Sequence, residues 1–155
     1  MPIFDLSTTN SVLNNFVAEL RDIEIQNDPL RFRKNLQRIG EIMAYEISKS
    51  LSYKIKSTKT PLGISNSQIM DEKLVIGTIL RAGLPMHEGF LNYFDRAENA
   101  FVSAYRKYTD KKHFDIHIEY ISSPDINGKT LLLVDPMLAT GASFELAYKA
   151  LLSRG

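Results

Sequence analysis

Apolar side chains recur at helical spacing through the first third of the chain. Between Asn10 and Asp22 they fall three or four positions apart, which predicts an amphipathic helix. Asp28 followed by Pro29 is typical of an N-cap and a first helical position. A second helix is expected to begin there and to carry its apolar stripe to Ile47. The opposite face of this helix carries charged residues, which predict that it is exposed to solvent: Arg31, Lys34 and Arg38.

Two short runs of almost continuous apolar residues predict buried strands, Leu74–Leu80 and Thr130–Val134. Strands that are apolar on both faces are typical of a parallel sheet with helices on each side. The segment Ser57–Ser67 contains proline, glycine and many polar residues, which predicts a loop. A helix is expected at Pro85–Phe94 and a strand at Phe101–Tyr105, so strand, helix and strand form a right-handed crossover.

The stretch from Phe114 to Tyr120 alternates apolar and polar residues, which predicts a strand with one wet face. With the polar segment Tyr108–Lys112 before it, this strand predicts a projecting antiparallel hairpin. A last helix is expected from about Ala142 to Leu152. The sequence therefore predicts an α/β protein with an open parallel sheet, flanking helices, a helical N-terminal segment and a projecting antiparallel hairpin.

Composition narrows the class of protein without identifying it. A chain of 155 residues with 44% apolar and 24% charged residues fits one packed domain. The net charge of +1 argues against a dedicated nucleic-acid binder, which usually carries a strong basic excess. The absence of cysteine excludes disulfides and thiolate chemistry. No apolar run approaches the ~20 residues that span a bilayer, and the N-terminus lacks a secretory pattern, so a cytoplasmic protein is expected.

The three histidines give no metal site by their spacing. His113 and His117 stand four residues apart, and on an extended strand that is about 13 Å, too far to chelate one ion. Solvated positions on the hairpin are the better prediction for both. His87 lies early in a predicted helix, where a structural role is expected.

The strongest chemical signal follows the second buried strand. That strand delivers Asp135 at its carboxyl end, and a loop of small and hydroxyl residues then opens a helix. Unpaired N–H groups and the helix dipole make such a helix start a phosphate site, with Thr140 and Ser143 as added donors. Asp135 could instead be a helix cap, and Thr140-Gly141 an ordinary turn. The loop has no Walker lysine, and no dinucleotide fingerprint occurs in the chain.

Several motifs resemble those of uracil phosphoribosyltransferases. Asp-Pro-Met-Leu-Ala-Thr-Gly-x-Ser at 135–143 is similar to the family's loop for phosphoribosyl pyrophosphate, and Ile79–Met86 is similar to its pyrophosphate loop. Tyr105-Arg106 matches the start of its mobile hairpin. Glu19–Asp22 and Tyr45-Glu46 match its helical opening, so order and spacing agree over essentially the whole chain.

The resemblance implies transfer of ribose 5-phosphate from phosphoribosyl pyrophosphate to uracil, giving UMP and pyrophosphate. Arg81 and Arg106 are expected to bind the pyrophosphate, and Asp135 to accept hydrogen bonds from the ribose hydroxyls; Arg106 and Asp135 are the expected catalytic residues. Mg²⁺ is expected on the pyrophosphate oxygens, with no metal ligand assigned to the protein. The rest of the expected substrate site comprises Pro136, Met137, Leu138, Ala139, Thr140, Gly141, Ala142 and Ser143.

The resemblance also implies details of backbone and motion. Gly83 is expected to let the backbone approach the ligand, and the Arg81-Ala82 peptide is expected to be cis. The hairpin from Lys107 to Ser122 is expected to close over the substrate and exclude water. Family members commonly form at least dimers, so a homo-oligomer is expected, without nucleic-acid or membrane partners.

The chain departs from the family pattern at its end and at single positions. Residues 1–155 are expected to form one phosphoribosyltransferase domain that is incomplete at the C-terminus, where the family's uracil-binding segment would follow. Ala142 stands where glycine is common, and Ile25 where threonine is often found. Two alternatives remain open at this point: a regulatory or RNA-binding protein on the same fold, and a fragment that binds phosphoribosyl pyrophosphate without activity.

Overall fold

The computed structural model describes residues 3–108 and 114–153, and their side chains except those of 105–108 and 114–117. The tip of the predicted hairpin, residues 109–112, and His113 lie outside the described residues. A single 3₁₀ turn, Leu6–Thr8, precedes the first helix. Among the described residues, no helix combines the length and apolar character that a membrane span requires.

Both N-terminal helices form where the sequence predicts them. Helix α1 covers Val12–Arg21, and its first turn is capped by Ser11, whose hydroxyl accepts a hydrogen bond from the Leu13 backbone N–H at 3.2 Å. Helix α2 covers Pro29–Ser48 and is capped by Asp28, whose carboxylate accepts from two backbone N–H groups at 2.9 and 3.0 Å. The cap satisfies donors that have no partner inside the helix.

The predicted loop at Ser57–Ser67 is wrong, because this segment is most of an antiparallel hairpin. Strand β1 covers Tyr53–Thr60 and strand β2 covers Gly63–Met70, paired in unbroken register. Nearly all of its residues are exposed, so polar side chains occupy both faces and hide the period of two that identifies a strand. Serine, threonine and lysine here indicated exposure to water, and they are compatible with an extended backbone.

The main sheet has four strands in the order β5-β4-β3-β6. Strand β3, Leu74–Leu80, pairs in parallel with β4, Glu98–Tyr108, and with β6, Thr130–Val134. Strand β5, Phe114–Ser122, pairs antiparallel with β4 and has a register shift at Ser103/Ala104. The predicted parallel sheet and antiparallel hairpin are therefore both confirmed where the structure describes them.

Helices cover both faces of this sheet. Helix α3, Leu84–Leu91, links β3 to β4, and helix α4, Ala142–Leu152, follows β6. Alternate residues of β3 enter separate cores. Leu74 and Ile76 join the cluster formed with α1, α2 and α3, whereas Val75 and Ile79 join the cluster formed with α4. Burial on both faces explains why this strand is continuously apolar.

Two glycines let α2 and α3 pack at backbone distance. A Cβ on Gly40 would collide with the Met86 carbonyl, and a Cβ on Gly89 would collide with the Gln37 carbonyl. Because each glycine faces backbone atoms of the other helix, an added methyl group at either position would force the two backbones apart. This packing fixes the start of α3, and therefore the loop that precedes it.

Candidate functional site

Two loops leave the sheet at the same edge. Strands β3 and β6 are parallel neighbours, and Thr78 is in register with Val134 near their carboxyl ends. The loop Arg81–Gly83 follows β3, and the loop Asp135–Gly141 follows β6. Ligands of open α/β sheets bind at this edge. The fold therefore brings together the two segments whose motifs resemble a pyrophosphate loop and a ribose-phosphate loop.

The first loop is a tight turn into α3. Arg81 and Ala82 are exposed, whereas Gly83 is buried and donates its N–H to the Ile79 carbonyl at 3.1 Å. A Cβ at Gly83 would collide with the Thr78 hydroxyl and lie 2.9 Å from the Ile79 carbonyl. Glycine is therefore required by close packing beneath the loop, in addition to any approach of a ligand from above.

The cis peptide of this loop lies one bond before the predicted position. The structure has a non-proline cis bond at Leu80-Arg81, so the expectation of a cis Arg81-Ala82 bond is wrong. The cis bond lies within the segment Ile79–Met86 on which the resemblance rests, but sequence alone does not distinguish neighbouring peptide bonds.

The second loop presents an acidic side chain and then a helix start. Asp135 is partly buried, and burial raises the pKa of its carboxyl above the usual value, opposed by the hydrogen bond that it accepts from the Met137 N–H. Gly141 has a φ of +78° and occupies the N-cap position of α4. No side chain makes a capping hydrogen bond at that position. The Thr140 hydroxyl accepts only a long hydrogen bond, 3.4 Å, from the Ala142 N–H. The start of α4 thus keeps donors for an anion.

Apolar side chains of this loop point away from the core. Met137 and Leu138 are 74% and 71% exposed, and Ala139 is exposed as well. Packing therefore does not explain their presence in the loop. The residues expected to form the substrate site, 135–143, are contiguous around the carboxyl end of β6 and the first turn of α4.

For Arg106 the structure describes the position of the backbone and not that of the side chain. Leu80, the last residue of β3, is in register with Ser103, so Arg106 lies three residues further along β4 at the same edge of the sheet. Its backbone pairs with Ile116 of β5. The side chain of Arg106 is not among the described side chains, and its contact with pyrophosphate stays a prediction.

Arg31, Lys34 and Arg38 of α2 are exposed, as predicted for a solvated face, and Arg31 and Arg38 also contact α1. Arg31 lies 3.7 Å from Glu19, and the Lys34 ammonium donates to Gln37 at 2.8 Å. Arg38 donates to Asn35 at 3.3 Å and lies over the Phe16 ring. The buried Asn35, which also donates to Glu19 at 2.6 Å, joins α1 to α2 and was not predicted from the sequence.

His87 is structural, as its position predicted. It is 4% exposed, its Nε2 lies 2.7 Å from the Asn99 Oδ1, and its ring is tilted against Phe101. Burial lowers the pKa of His87 below the usual range, opposed by the hydrogen bond with Asn99. His117 pairs through its backbone with Tyr105, which keeps it on the hairpin strand.

Sequence reasoning missed one polar residue beneath the two loops. Thr78 is fully buried in β3, and its hydroxyl donates to the Val134 carbonyl at 3.2 Å. It is the single residue with a polar side chain in the apolar run Leu74–Leu80. That contrast was the available signal, because a buried hydroxyl normally has a hydrogen-bond partner.

Solved structures share this architecture. The AQ2163 protein from Aquifex aeolicus superposes with a TM-score of 0.82 at 29% identity, covering 94% of this chain and 68% of that one. A hypoxanthine phosphoribosyltransferase from Staphylococcus aureus has a TM-score of 0.54 at 17% identity, covering 79% of this chain and 58% of that one. The second likeness concerns the fold alone.

Curated relatives extend the likeness to sequence. A uracil phosphoribosyltransferase from Porphyromonas gingivalis is 61% identical over all of this chain, which covers 72% of that relative. Proteins of the same name from Methanothermobacter thermautotrophicus and Thermococcus kodakarensis are 40% and 37% identical over 74% and 82% of this chain, and 53% and 55% of their own lengths.

The fold and the curated relatives together define a phosphoribosyltransferase, an α/β enzyme of pentosyl transfer. The family model described as uracil phosphoribosyltransferase matches residues 7–155. The chain belongs to the uracil phosphoribosyltransferase family. This membership favours the enzyme over the alternative of a regulatory or RNA-binding protein on the same fold.

Proposed function

We propose that the protein transfers ribose 5-phosphate from phosphoribosyl pyrophosphate to N1 of uracil, releasing UMP and pyrophosphate. The observation that carries the proposal is the parallel register of β3 and β6, which sets Arg81–Gly83 beside Asp135–Ser143 at one sheet edge. One loop is suited to the leaving pyrophosphate and the other to the ribose 5-phosphate. The bond that breaks lies between these two groups.

Charge stabilisation accounts for most of the chemistry. Breaking the carbon–oxygen bond leaves positive charge on the ribose ring and adds negative charge to the departing pyrophosphate. Arg81, exposed at its loop, and Arg106, at the end of β4, would bind the pyrophosphate through guanidinium donors. The protein would form no covalent bond, so its contribution is positioning and electrostatic stabilisation.

Asp135 would orient the sugar. No ion pair to Asp135 forms among residues whose side chains are described, so its oxygens beyond the Met137 hydrogen bond remain acceptors for the ribose 2′ and 3′ hydroxyls. The 5′-phosphate would then lie against the loop from Ala139 to Ser143, where α4 begins.

Mg²⁺ would accompany the pyrophosphate. In the part of the chain that the structure describes, no group of three histidine or acidic side chains is arranged to hold a metal ion. The residues present fit an ion whose ligands are mainly substrate oxygens and water, as Mg²⁺ prefers. When bound, it would neutralise negative charge on the pyrophosphate oxygens.

The β4–β5 hairpin would cover the site. Both strands extend beyond the sheet edge at which the loops lie, since β4 continues to Tyr108 after the register position of Leu80. Closure of residues 107–122 over the substrate would exclude water, which otherwise could hydrolyse the activated sugar.

A homo-oligomer and a cytoplasmic location belong to the proposal. The β1–β2 hairpin is an exposed two-stranded sheet, a structure that is marginally stable alone in water. Ile55 and Ile64 lie on one face of it and are 69% and 78% exposed, and Leu62 at its turn is fully exposed. A second copy would cover these exposed apolar side chains. The metabolic role of the named relatives supports the location.

We further propose that residues 1–155 are one domain whose sheet is extended by another strand in the whole protein. Among the described strands, β6 pairs only with β3, which leaves one side of β6 open. The chain spans 72% of the Porphyromonas gingivalis relative, which allows for such a segment. That segment would supply uracil recognition.

The test is formation of UMP from uracil and phosphoribosyl pyrophosphate with Mg²⁺, by the chain alone and by a chain extended with the relative's additional segment. We expect UMP from the extended chain, and no nucleotide from hypoxanthine or cytosine. Substitution Arg81→Ala should abolish product while leaving the melting temperature unchanged. A folded, extended chain that forms no UMP would refute the proposed reaction.

A further inference from the structure

A buried hydroxyl lies where the two substrate loops leave the sheet. Thr78 has no exposed surface, and β3 lies between β4 and β6 in the sheet. Its Oγ1 donates to the Val134 carbonyl at 3.2 Å, across the two strands that carry the loops. Val134 is the last residue of β6 and immediately precedes Asp135. The hydrogen bond therefore fixes the peptide unit from which the ribose-phosphate loop departs.

The same hydroxyl also contacts the other loop. A Cβ on Gly83 would collide with Thr78 Oγ1 and would lie 3.2 Å from the Val134 carbonyl. Gly83 is therefore packed directly against the hydrogen bond that joins Thr78 to Val134. Strand β3, the pyrophosphate loop and the end of β6 meet at one oxygen atom.

The hydrogen bond between Thr78 and Val134 differs from the apolar packing around it. The neighbours of Thr78 in β3 are apolar, and a valine of the same shape would fill the space without a donor. A buried hydroxyl in that position has a desolvation cost that only its hydrogen bond offsets. The hydroxyl adds direction, because it sets the orientation of one carbonyl relative to Gly83.

We propose that Thr78 is a positioning residue for phosphoribosyl transfer, which holds the loop Arg81–Gly83 and Asp135 in a fixed relation through its hydrogen bond to Val134. This inference rests on the proposed function. Thr78 does not touch the substrate. It sets the distance between the groups that bind pyrophosphate and those that bind ribose, and hence the geometry of the bond that breaks.

The test compares Thr78→Val, which removes the donor at constant shape, with Thr78→Ser, which keeps it. The matched control is Thr130→Val in β6, at the opposite end of that strand from Val134 and about 13 Å from it along the strand. There the Thr130 hydroxyl donates to Glu72, remote from both loops. For each variant we would measure the melting temperature, the Kd for Mg²⁺-phosphoribosyl pyrophosphate, and KM and kcat in UMP formation by the extended chain.

We expect Thr78→Val to weaken phosphoribosyl pyrophosphate binding or kcat/KM about two- to tenfold, the range of one net hydrogen bond. The KM for uracil should change less than that for phosphoribosyl pyrophosphate. Thr78→Ser should restore the constants even where its lost methyl group lowers the melting temperature. Thr130→Val should lower the melting temperature without changing the constants.

Two results would overturn the inference while the proposed function stands: an active parent whose Thr78→Val variant has unchanged constants, or a Thr78→Ser variant as impaired as Thr78→Val. An unsubstituted protein that neither binds phosphoribosyl pyrophosphate nor forms UMP would instead overturn the proposed function, and the inference with it.

Discussion

At the scale of single residues, the site combines one charged acceptor, a rigid turn and a buried hydroxyl. Asp135 is partly buried, and burial raises the pKa of its carboxyl. The folded state therefore disfavours the charged carboxylate, which lowers the stability of the fold at neutral pH. Active sites commonly keep groups that the folded state alone would not favour. Stability and activity should therefore respond in opposite directions to changes at this residue.

For Asp135→Asn we expect higher stability and lower activity. The raised pKa means that the folded state disfavours the charged form, so a neutral side chain of the same shape should raise the melting temperature at pH 7. The loss of the charged acceptor should reduce kcat/KM by about ten- to a hundredfold, because hydrogen bonds to charged groups contribute about 1.5–3 kcal/mol. Thermal melts and UMP assays measure both, and a variant that is less stable at pH 7 would contradict this explanation.

For Gly83→Ala we expect lost activity together with lost stability. The new methyl group collides with Thr78 and approaches the Ile79 carbonyl to 2.9 Å, and overpacking typically costs about 1–3 kcal/mol. The control is Gly77→Ala in β3, the strand that precedes this loop, where the nearest atoms are the ends of flexible leucine side chains at 3.2–3.3 Å. It should leave phosphoribosyl pyrophosphate binding unchanged, and equal effects on binding at the two positions would argue against the assigned role of Gly83.

For His87 the sign of the pH dependence follows from burial. Its pKa is lowered in the folded state, so protonation favours unfolding, and stability should fall as the pH drops through the unfolded value of about 6.5. Melting temperatures between pH 8 and pH 5 measure the effect. The His87→Gln variant should lose this part of the pH dependence, and an unchanged pH profile in that variant would assign the effect to another group.

At the scale of elements, the sequence was informative wherever an element is buried on a defined face. Leu74–Leu80 and Thr130–Val134 were predicted because burial on both faces makes these strands continuously apolar. The two N-terminal helices were predicted because burial of one face imposes a helical period on their apolar residues. The hairpin of β1 and β2 was missed because exposure removes that period. The hydrogen bond of Thr78 was missed because it depends on a contact between two strands. The cis bond was assigned to the wrong peptide because its location depends on one backbone angle.

The packing of α2 on α3 should be intolerant of a single methyl group. Gly40→Ala places its Cβ against the Met86 carbonyl, a backbone atom that cannot rotate away. We expect a loss of about 1–3 kcal/mol in the free energy of unfolding, measured by urea denaturation. The control is Arg33→Ala at an exposed position of the same helix, which should change the free energy of unfolding by less than about 0.5 kcal/mol. Equal values for the two would show that the helices are not in close contact.

At the scale of the whole molecule, the β4–β5 hairpin extends from the main sheet, and the β1–β2 hairpin forms a separate two-stranded sheet. The exposed Ile55 and Ile64 of the β1–β2 hairpin predict association of copies. Ile55→Lys with Ile64→Lys should reduce the molecular mass measured by light scattering, whereas Ser65→Lys, on the opposite face by register, should not. A parent protein that is already monomeric would contradict the proposed oligomer.

The relation between the two loops is the feature on which all of the proposed chemistry depends. Calorimetric titration with Mg²⁺-phosphoribosyl pyrophosphate measures it most directly, using the parent, Arg81→Ala, Asp135→Ala and the double variant. If both loops bind one ligand, the unsubstituted protein should bind it saturably at one site. The losses of binding free energy in the two single variants should combine in the double variant, because both residues act on the same ligand. Binding that is unaffected by either substitution in a folded protein would place the ligand elsewhere and contradict the shared site.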